Sequence, residues 1–359
     1  MNILFVLFTF EVGGIQKLLI DITNNLASDR KNNVYLCIIN NIYDTELLRK
    51  LDKNINVLLL NRNEKGSRIK YIIKYTKFIK KNRIDVIHCH LENSVKFSIL
   101  AKLICPKIKI FVTVHDTNIF SELKSYEVFL DRIFCRRIIA ISDVVKNEIL
   151  SRGIPEKKVV RIYNGIDLKK FSIKVNRKFN QDHVVIGNVA RIIPSKKGQD
   201  ILIKAIGELK HKYPNILCLF AGQVPVNKLF ILDDLVKLCE SKNISDNVKF
   251  LGNIYDIKEF LEEIDIFVMP SLYEGFGISL IEAMAAGIPC IASNIDGPKE
   301  IIKEEYGLLF QKGDYYSLAE KIDYRIQNIK FDRKKINEYI TKNFDINFMI
   351  NRLINIYKD

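Results

Sequence analysis

No run of apolar residues in this 359-residue chain is longer than about ten, well short of the roughly twenty that span a bilayer as a helix. The apolar N-terminus, MNILFVLFTFEVGG, has neither a basic flank nor a small-residue cleavage site, so it reads as a first buried strand and not as a signal peptide. There is no Cys-x-x-Cys pair. The seven cysteines, at 37, 89, 105, 135, 218, 239 and 290, are scattered and odd in number. Neither a disulfide framework nor a zinc site is indicated, and a reducing cytoplasm fits. The G-x-G-x-x-G fingerprint of dinucleotide-binding proteins is absent. Internal repeats and low-complexity segments are absent too, and nothing resembles a DNA- or RNA-binding module.

What is there is an ordinary globular composition, 48% hydrophobic and 27% charged, on a length sufficient for two cored domains. Apolar strand-like runs at 3–8, 34–39, 57–60, 86–88, 110–114 and 137–141 alternate with helical patterns at 15–25, 67–81 and 94–103. A second series follows, with strands at 184–189, 217–221, 248–251, 266–269, 290–293 and 307–310. Its helices fall at 198–212, 230–242, 257–263 and 278–286. Alternation of this kind predicts parallel sheets covered by helices. Two successive series predict an α/β chain of two Rossmann-like domains. The boundary is expected in the polar stretch 165–182, after the Asn164-Gly165 turn pair. A last helix is expected at 344–357.

The net charge of +14 is uneven. Residues 1–170 hold 30 Lys and Arg against 17 Asp and Glu, a balance of +13; residues 171–359 hold 26 against 25, a balance of +1. The densest stretch is 62–83. Within it Ile69, Ile72, Ile73, Thr76 and Ile79 fall on one helical face and Lys70, Lys74, Lys77 and Lys81 elsewhere. Such a helix can lie on an anionic membrane; the alternative is a surface helix packed on a sheet with a solvated lysine face.

Residues 271–297, SLYEGFGISLIEAMAAGIPCIASNIDG, are the most informative segment. Two carboxylates, Glu274 and Glu282, flank a glycine turn, Gly275-Phe276-Gly277. A strand-like run precedes the turn and a helix start follows it. Strand, glycine turn and helix present free backbone N–H groups and a helix N-terminus to a phosphate. Carboxylates accept hydrogen bonds from hydroxyls. A ligand with both phosphates and polyols, a nucleotide sugar, suits this pattern.

Glu-x7-Glu followed by Ala-Met-Ala-Ala-Gly-Ile-Pro resembles the signature of the retaining GT-B glycosyltransferases, in particular the family 4 group (glycosyl transferases group 1), of the bacterial cell-surface polysaccharide type. Other blocks agree in order from Gly13-Gly14 to Glu300. The resemblance implies two Rossmann-like domains with parallel sheets facing across a cleft. An acceptor-binding domain would span 1–168, with helix 344–359 packing back on it, and a nucleotide-sugar domain would span 169–343.

The resemblance also implies roles. His115, in Thr-Val-His-Asp at a strand end, and Glu274 would serve the reacting centre, with Asp116 less certain. Gly14 of the Gly13-Gly14 loop, Arg191, Lys197, Gly277, Ile278 and Ser279 would hold the donor diphosphate. Lys196 stays open as the alternative to Lys197, and a simple tight turn as the alternative for the two glycines. Glu282 would bind the ribose, and Asn253 and Ile254 would border the base. Glu300 is a weaker neighbour of the pocket. His88 and His90 read as structural or acceptor-lining and not as a metal pair. The expected activity is metal-independent transfer from a nucleotide-diphosphate sugar, a UDP-sugar first among the options, to a hydroxyl of a glycan or lipid-linked acceptor with retention. No cofactor is expected beyond the donor, and no metal. The rivals are a nucleotide-sugar epimerase, an inactive nucleotide-sugar-binding protein and a dehydrogenase, the last disfavoured by the missing glycine fingerprint. Peripheral contact of the basic N-terminal half with an anionic membrane at the cytoplasmic face is expected as well.

Overall fold

The computed structural model describes residues 1–359 apart from 30, 64–67, 91, 172–178, 226–227, 255 and 329–331. The helix start expected at Ser67 and part of the stretch 165–182 therefore lie outside the described residues. The chain divides into two compact units, Met1–Gly165 with Ile346–Asp359, and Ile166–Asp345.

The first unit is built on seven strands, β1 (Asn2–Leu7), β2 (Asn33–Asn40), β3 (Asn56–Arg62), β4 (Val86–His90), β5 (Lys109–Val114), β6 (Cys135–Ala140) and β7 (Val159–Arg161). They pair in parallel in the order β3-β2-β1-β4-β5-β6-β7. Residues 3–6 and 36–39 are fully buried, as strands covered on both faces must be. Right-handed crossovers put α1 (Gly14–Ser28) and α2 (Thr45–Arg49) on one face. On the other lie α3 (Arg68–Lys81), α4 (Glu92–Ile104), α5 (Ser125–Phe134) and α6 (Asp143–Ser151).

The second unit has six parallel strands, β8 (Val185–Val189), β9 (Leu217–Ala221), β10 (Val248–Gly252), β11 (Ile266–Met269), β12 (Cys290–Ser293) and β13 (Leu308–Phe310), in the order β10-β9-β8-β11-β12-β13. Its helices are α7 (Pro194–Lys197), α8 (Gln199–Leu209), α9 (Phe230–Ser241), α10 (Ile257–Glu263), α11 (Ile278–Ala285), α12 (Asp296–Ile301), α13 (Tyr315–Gln327) and α14 (Arg333–Phe344). Its core joins residues of β8, β9, β11, α8 and α13, among them Ile186, Phe220, Val268, Leu202 and Ile322. The last helix, α15 (Ile346–Lys358), belongs to the first unit and packs against α1. All seven cysteines are free. No described helix is long and apolar enough to cross a membrane.

Two local expectations change. The helix expected at 344–357 begins at Ile346, because Phe344 closes α14 and the chain is extended at Asp345. There the Phe344 carbonyl accepts from the Ile166 amide at 2.9 Å. In α3 the buried face is Tyr71, Tyr75, Thr76 and Ile79, and Ile69 and Ile73 stand in solvent. The two tyrosines are large enough to fill the space over the sheet, and the Tyr75 hydroxyl, fully buried, is hydrogen-bonded to Ser98 Oγ of α4 at 3.0 Å. The helix is thus rotated away from the face that counting isoleucines predicts.

Candidate functional site

Strand order reverses between β8 and β11 in the second unit and between β1 and β4 in the first. Ligands of open α/β sheets bind outside the carboxyl ends of the strands at such a switch point. The sequence-predicted residues follow strand ends in both units, among them Arg191 and Lys197 after β8, Glu274 after β11, Gly14 after β1 and His115 after β5.

In the second unit, Arg191, Lys196 and Lys197 follow β8, and Ser271 and Glu274 follow β11. The Lys197 ammonium and a Glu274 carboxylate oxygen are 2.6 Å apart, both side chains more than four-fifths buried. Ser271 Oγ lies 3.4 Å from the same oxygen. The Lys196 carbonyl accepts from the amides of Leu272 and Tyr273 at 2.8 and 3.3 Å. The two lysines therefore divide the work: the backbone of Lys196 anchors the β11 loop, and the side chain of Lys197 enters the site. The turn that delivers them needs glycine at 198. Its φ is +67°, and an added Cβ would fall 2.0 Å from the Pro270 carbonyl oxygen. Arg191 is exposed and makes no side-chain hydrogen bond or ion pair among the described residues, so its guanidinium fork is available to an anion.

Helix α11 opens at Gly277, φ +115°, with no side-chain cap and no acidic residue in its first turn. The amides of Ile278 and Ser279 begin the helix there, where a dipole favours negative charge. Glu282 is half-buried one turn further along the same helix. Gly297 of α12 meets the loop from outside. A Cβ there would come 2.4 Å from the Glu274 carbonyl oxygen and 2.9 Å from Phe276 N. Sequence reading gave Gly297 no role, because nothing local announces a contact with a loop more than twenty residues away. Glu300, half-buried, lies on the same α12.

Asn253 and Ile254 follow β10, the edge strand two places from β8. Asn253 Nδ2 donates to Gln223 Oε1 at 2.6 Å, and the Gln223 carbonyl accepts from Ile192 N at 3.0 Å. Gln223, unmarked in the sequence, thus ties the Asn253 turn to the Arg191 turn.

In the first unit, Gly13 and Gly14 follow β1 and start α1. Neither has positive φ, and a Cβ at Gly13 would meet chiefly the flexible end of Gln16. The chain conformation does not demand glycine at either position. α1 also has no side-chain cap. Next to it β4 runs to His90, two residues beyond its expected end, and brings His88 and His90 onto one face. Their situations differ. His88 Nδ1 is bonded to the Tyr357 hydroxyl of α15 at 2.5 Å and Nε2 to Thr113 Oγ1 at 2.7 Å, so both nitrogens are used. His90 Nδ1 is bonded to His115 Nε2 at 2.8 Å, the rings within 19° of parallel. His90 Nε2 and His115 Nδ1 are buried with no partner. Burial holds His88 down to about 3 and His115 down to about 4, the latter opposed in part by Asp116. His90 is held well below its ordinary value by burial and by its two histidine neighbours. All three are neutral at pH 7. One of the His90–His115 pair donates and the other accepts, so the two open nitrogens offer a ligand one donor and one acceptor. No group of three or more His, Cys, Asp or Glu side chains among the described residues converges as a metal site.

Comparison with known proteins adds identity to this geometry. The model of the glycosyl transferases group 1 matches residues 169–343, and that of glycosyltransferase family 4 matches residues 12–170. An uncharacterised glycosyltransferase of Methanocaldococcus jannaschii is 30% identical over 285 residues, 73% of this chain and 70% of the relative. The UDP-Gal:alpha-D-GlcNAc-diphosphoundecaprenol alpha-1,3-galactosyltransferase of Escherichia coli is 26% identical over 321 residues, 81% of this chain and 79% of the relative. The chain spans about half the length of two further relatives from Staphylococcus aureus, 55% and 52%. The crystal structure of the Anabaena protein HepE in complex with UDP and glucose superposes with a TM-score of 0.86 over 100% of both chains, at 20% identity. The chain belongs to the group 1 glycosyltransferases, a family of transferase enzymes, and has the GT-B fold.

Proposed function

We propose that the protein transfers a sugar from a nucleoside-diphosphate donor, a UDP-sugar, to a hydroxyl of a glycan or lipid-linked acceptor, with retention of configuration and without a metal ion. The observation that carries this reading is the Lys197–Glu274 pair at the β8/β11 switch point, beside the uncapped N-terminus of α11. Arg191, Lys197 and the amides at Gly277, Ile278 and Ser279 take the diphosphate, with Gly14 leaving room for it. Glu282 takes the ribose hydroxyls, and Asn253 and Ile254 border the base. The positive groups supply the charge stabilisation that a leaving diphosphate requires. Glu274 faces the sugar and supports developing charge at its anomeric carbon, and His115 hydrogen-bonds the transferred sugar. The bond from anomeric carbon to phosphate oxygen breaks as the acceptor oxygen bonds on the same face, and the acceptor proton passes to the departing phosphate. A lipid-linked acceptor is supported by the diphosphoundecaprenol substrate for which the Escherichia coli relative is named. A bacterial cell-surface polysaccharide pathway and the cytoplasmic face of a membrane suit such an acceptor.

The test is a transfer assay in EDTA with α-linked UDP-sugars and lipid-linked acceptors, the first-formed linkage read by proton NMR. An α-linked product with stoichiometric UDP supports the proposal. A β-linked product contradicts retention, loss of turnover in EDTA contradicts metal independence, and donor interconversion without acceptor supports an epimerase instead.

A further inference from the structure

Helix α5 carries apolar residues on the side turned away from the sheet. It buries Val128 and Asp131 and leaves Tyr126, Phe129 and Ile133, at helical spacing of three and four, in solvent, Phe129 by 59%. A surface helix that has buried one face ordinarily shows polar residues on the other. Helix α4 lies beside it and adds Leu100, Leu103 and Ile104, Leu103 by 60% exposed. The ion pair of Lys96 with Glu127 joins the two helices. Six large apolar side chains are thus exposed on two adjoining helices, apolar surface of the kind that marks an interaction site.

The chemistry around the patch selects its partner. Lys107, Lys124 and Arg132 are exposed near it, and the neighbouring α3 presents Lys70, Lys77, Lys80 and Lys81 beside the exposed Ile69 and Ile73. On α5 itself Asp131 is buried and Glu127 is tied to Lys96. The unit as a whole holds 30 Lys and Arg against 17 Asp and Glu. A second copy would bring two strongly positive surfaces together, whereas an anionic bilayer answers both features at once: lipid headgroups meet the basic rim and the acyl boundary takes the apolar stripe.

We propose that the outer face of α4 and α5 is the surface by which this protein rests on an anionic membrane, with Phe129, Ile133 and Leu103 entering the acyl boundary. This rests on neither the sugar nor the acceptor, and it moves the apolar contact from α3, whose Ile79 and tyrosines are buried, to α5.

The chain has no tryptophan, so Phe129→Trp creates a single fluorescent reporter. Phe230→Trp, exposed in the second unit, is the control. With vesicles of phosphatidylcholine and phosphatidylglycerol the emission of F129W should move to shorter wavelength and that of F230W should not. Vesicles of phosphatidylcholine alone should move neither. In co-sedimentation, Phe129→Glu/Ile133→Glu should lower partitioning onto the anionic vesicles by about tenfold or more, with an unchanged melting temperature and unchanged stabilisation by UDP. Equal shifts for both reporters, no shift for F129W, or undiminished sedimentation of the double variant overturns the proposal. So does a dimer in analytical ultracentrifugation that the double variant abolishes, which would assign the patch to a second copy.

Discussion

Lys197 and Glu274 form an ion pair at 2.6 Å across the β8/β11 switch point, although they are 77 residues apart in sequence. The carboxylate holds the ammonium at the strand ends. In the proposed reaction the donor diphosphate meets a cation already positioned there, and Glu274 is released toward the sugar as the lysine turns to phosphate.

Replacing Lys197 by Ala should therefore weaken UDP binding by roughly 10- to 100-fold, the range of a charge-assisted hydrogen bond worth about 1.5–3 kcal/mol. Lys196→Ala should weaken it less, since the substitution keeps the carbonyl by which Lys196 anchors the β11 loop. Glu274→Gln should retain UDP affinity and lose transfer. Isothermal titration with UDP separates Lys197→Ala from the other two, and a transfer assay separates those from each other; equal losses of UDP affinity for both lysine variants would contradict the division of roles.

Glu282→Ala should abolish the preference for UDP over 2′-deoxy-UDP as well as weakening both. A carboxylate that reads a ribose hydroxyl rejects the analogue without it. If the variant still prefers UDP by the wild-type ratio, Glu282 does not contact the ribose.

Gly297→Ala should displace the Glu274–Phe276 backbone, because the new methyl would lie 2.4 Å from a carbonyl oxygen. Overpacking of this kind costs about 1–3 kcal/mol. Loss of both melting temperature and UDP affinity is expected, whereas Gly153→Ala, with open space around it but φ +79°, should affect stability alone.

Protonation of the buried histidines sets an acid limit. His88 and His115 titrate near 3 and 4 in the folded chain and near 6.5 when unfolded. Between these values the unfolded state binds more protons, so stability rises with pH across this window. It is fully present above about 6.5 and is lost as pH falls toward about 4. Urea unfolding from pH 7.5 to 4.5 should show this slope. His88→Gln, whose amide can still bond to Tyr357 and Thr113, should flatten it; an unchanged slope would assign the acid sensitivity to other groups.

Much of the frame was legible because parallel strands buried on both faces read as short apolar runs. The runs at 217–221, 266–269 and 290–293 coincide with β9, β11 and β12, and helix 257–263 with α10. Reading failed where a large residue of mixed character took over a core position, as Tyr71 and Tyr75 do in α3. It failed where apolar periodicity ran through a break, as from Phe344 to Ile346. The residue types of the candidate site could be picked out one by one, but not their partnerships. That Lys197 pairs with Glu274, that His90 is bonded to His115 while His88 is saturated, and that Gln223 links two turns all depend on strand order. Local patterns carry no record of strand order. The apolar stripe of α5 was hidden for the opposite reason: its outer side chains are those of a core.

The most direct test of the central claim is a thermal-shift series on the full chain in EDTA with UDP, GDP, ADP, CMP and NAD. UDP should stabilise the chain by RT ln(1 + [L]/Kd), and should stabilise Lys197→Ala and Glu282→Ala less at the same concentration. Stabilisation by NAD alone, by no nucleotide, or by UDP equally in both variants would contradict it.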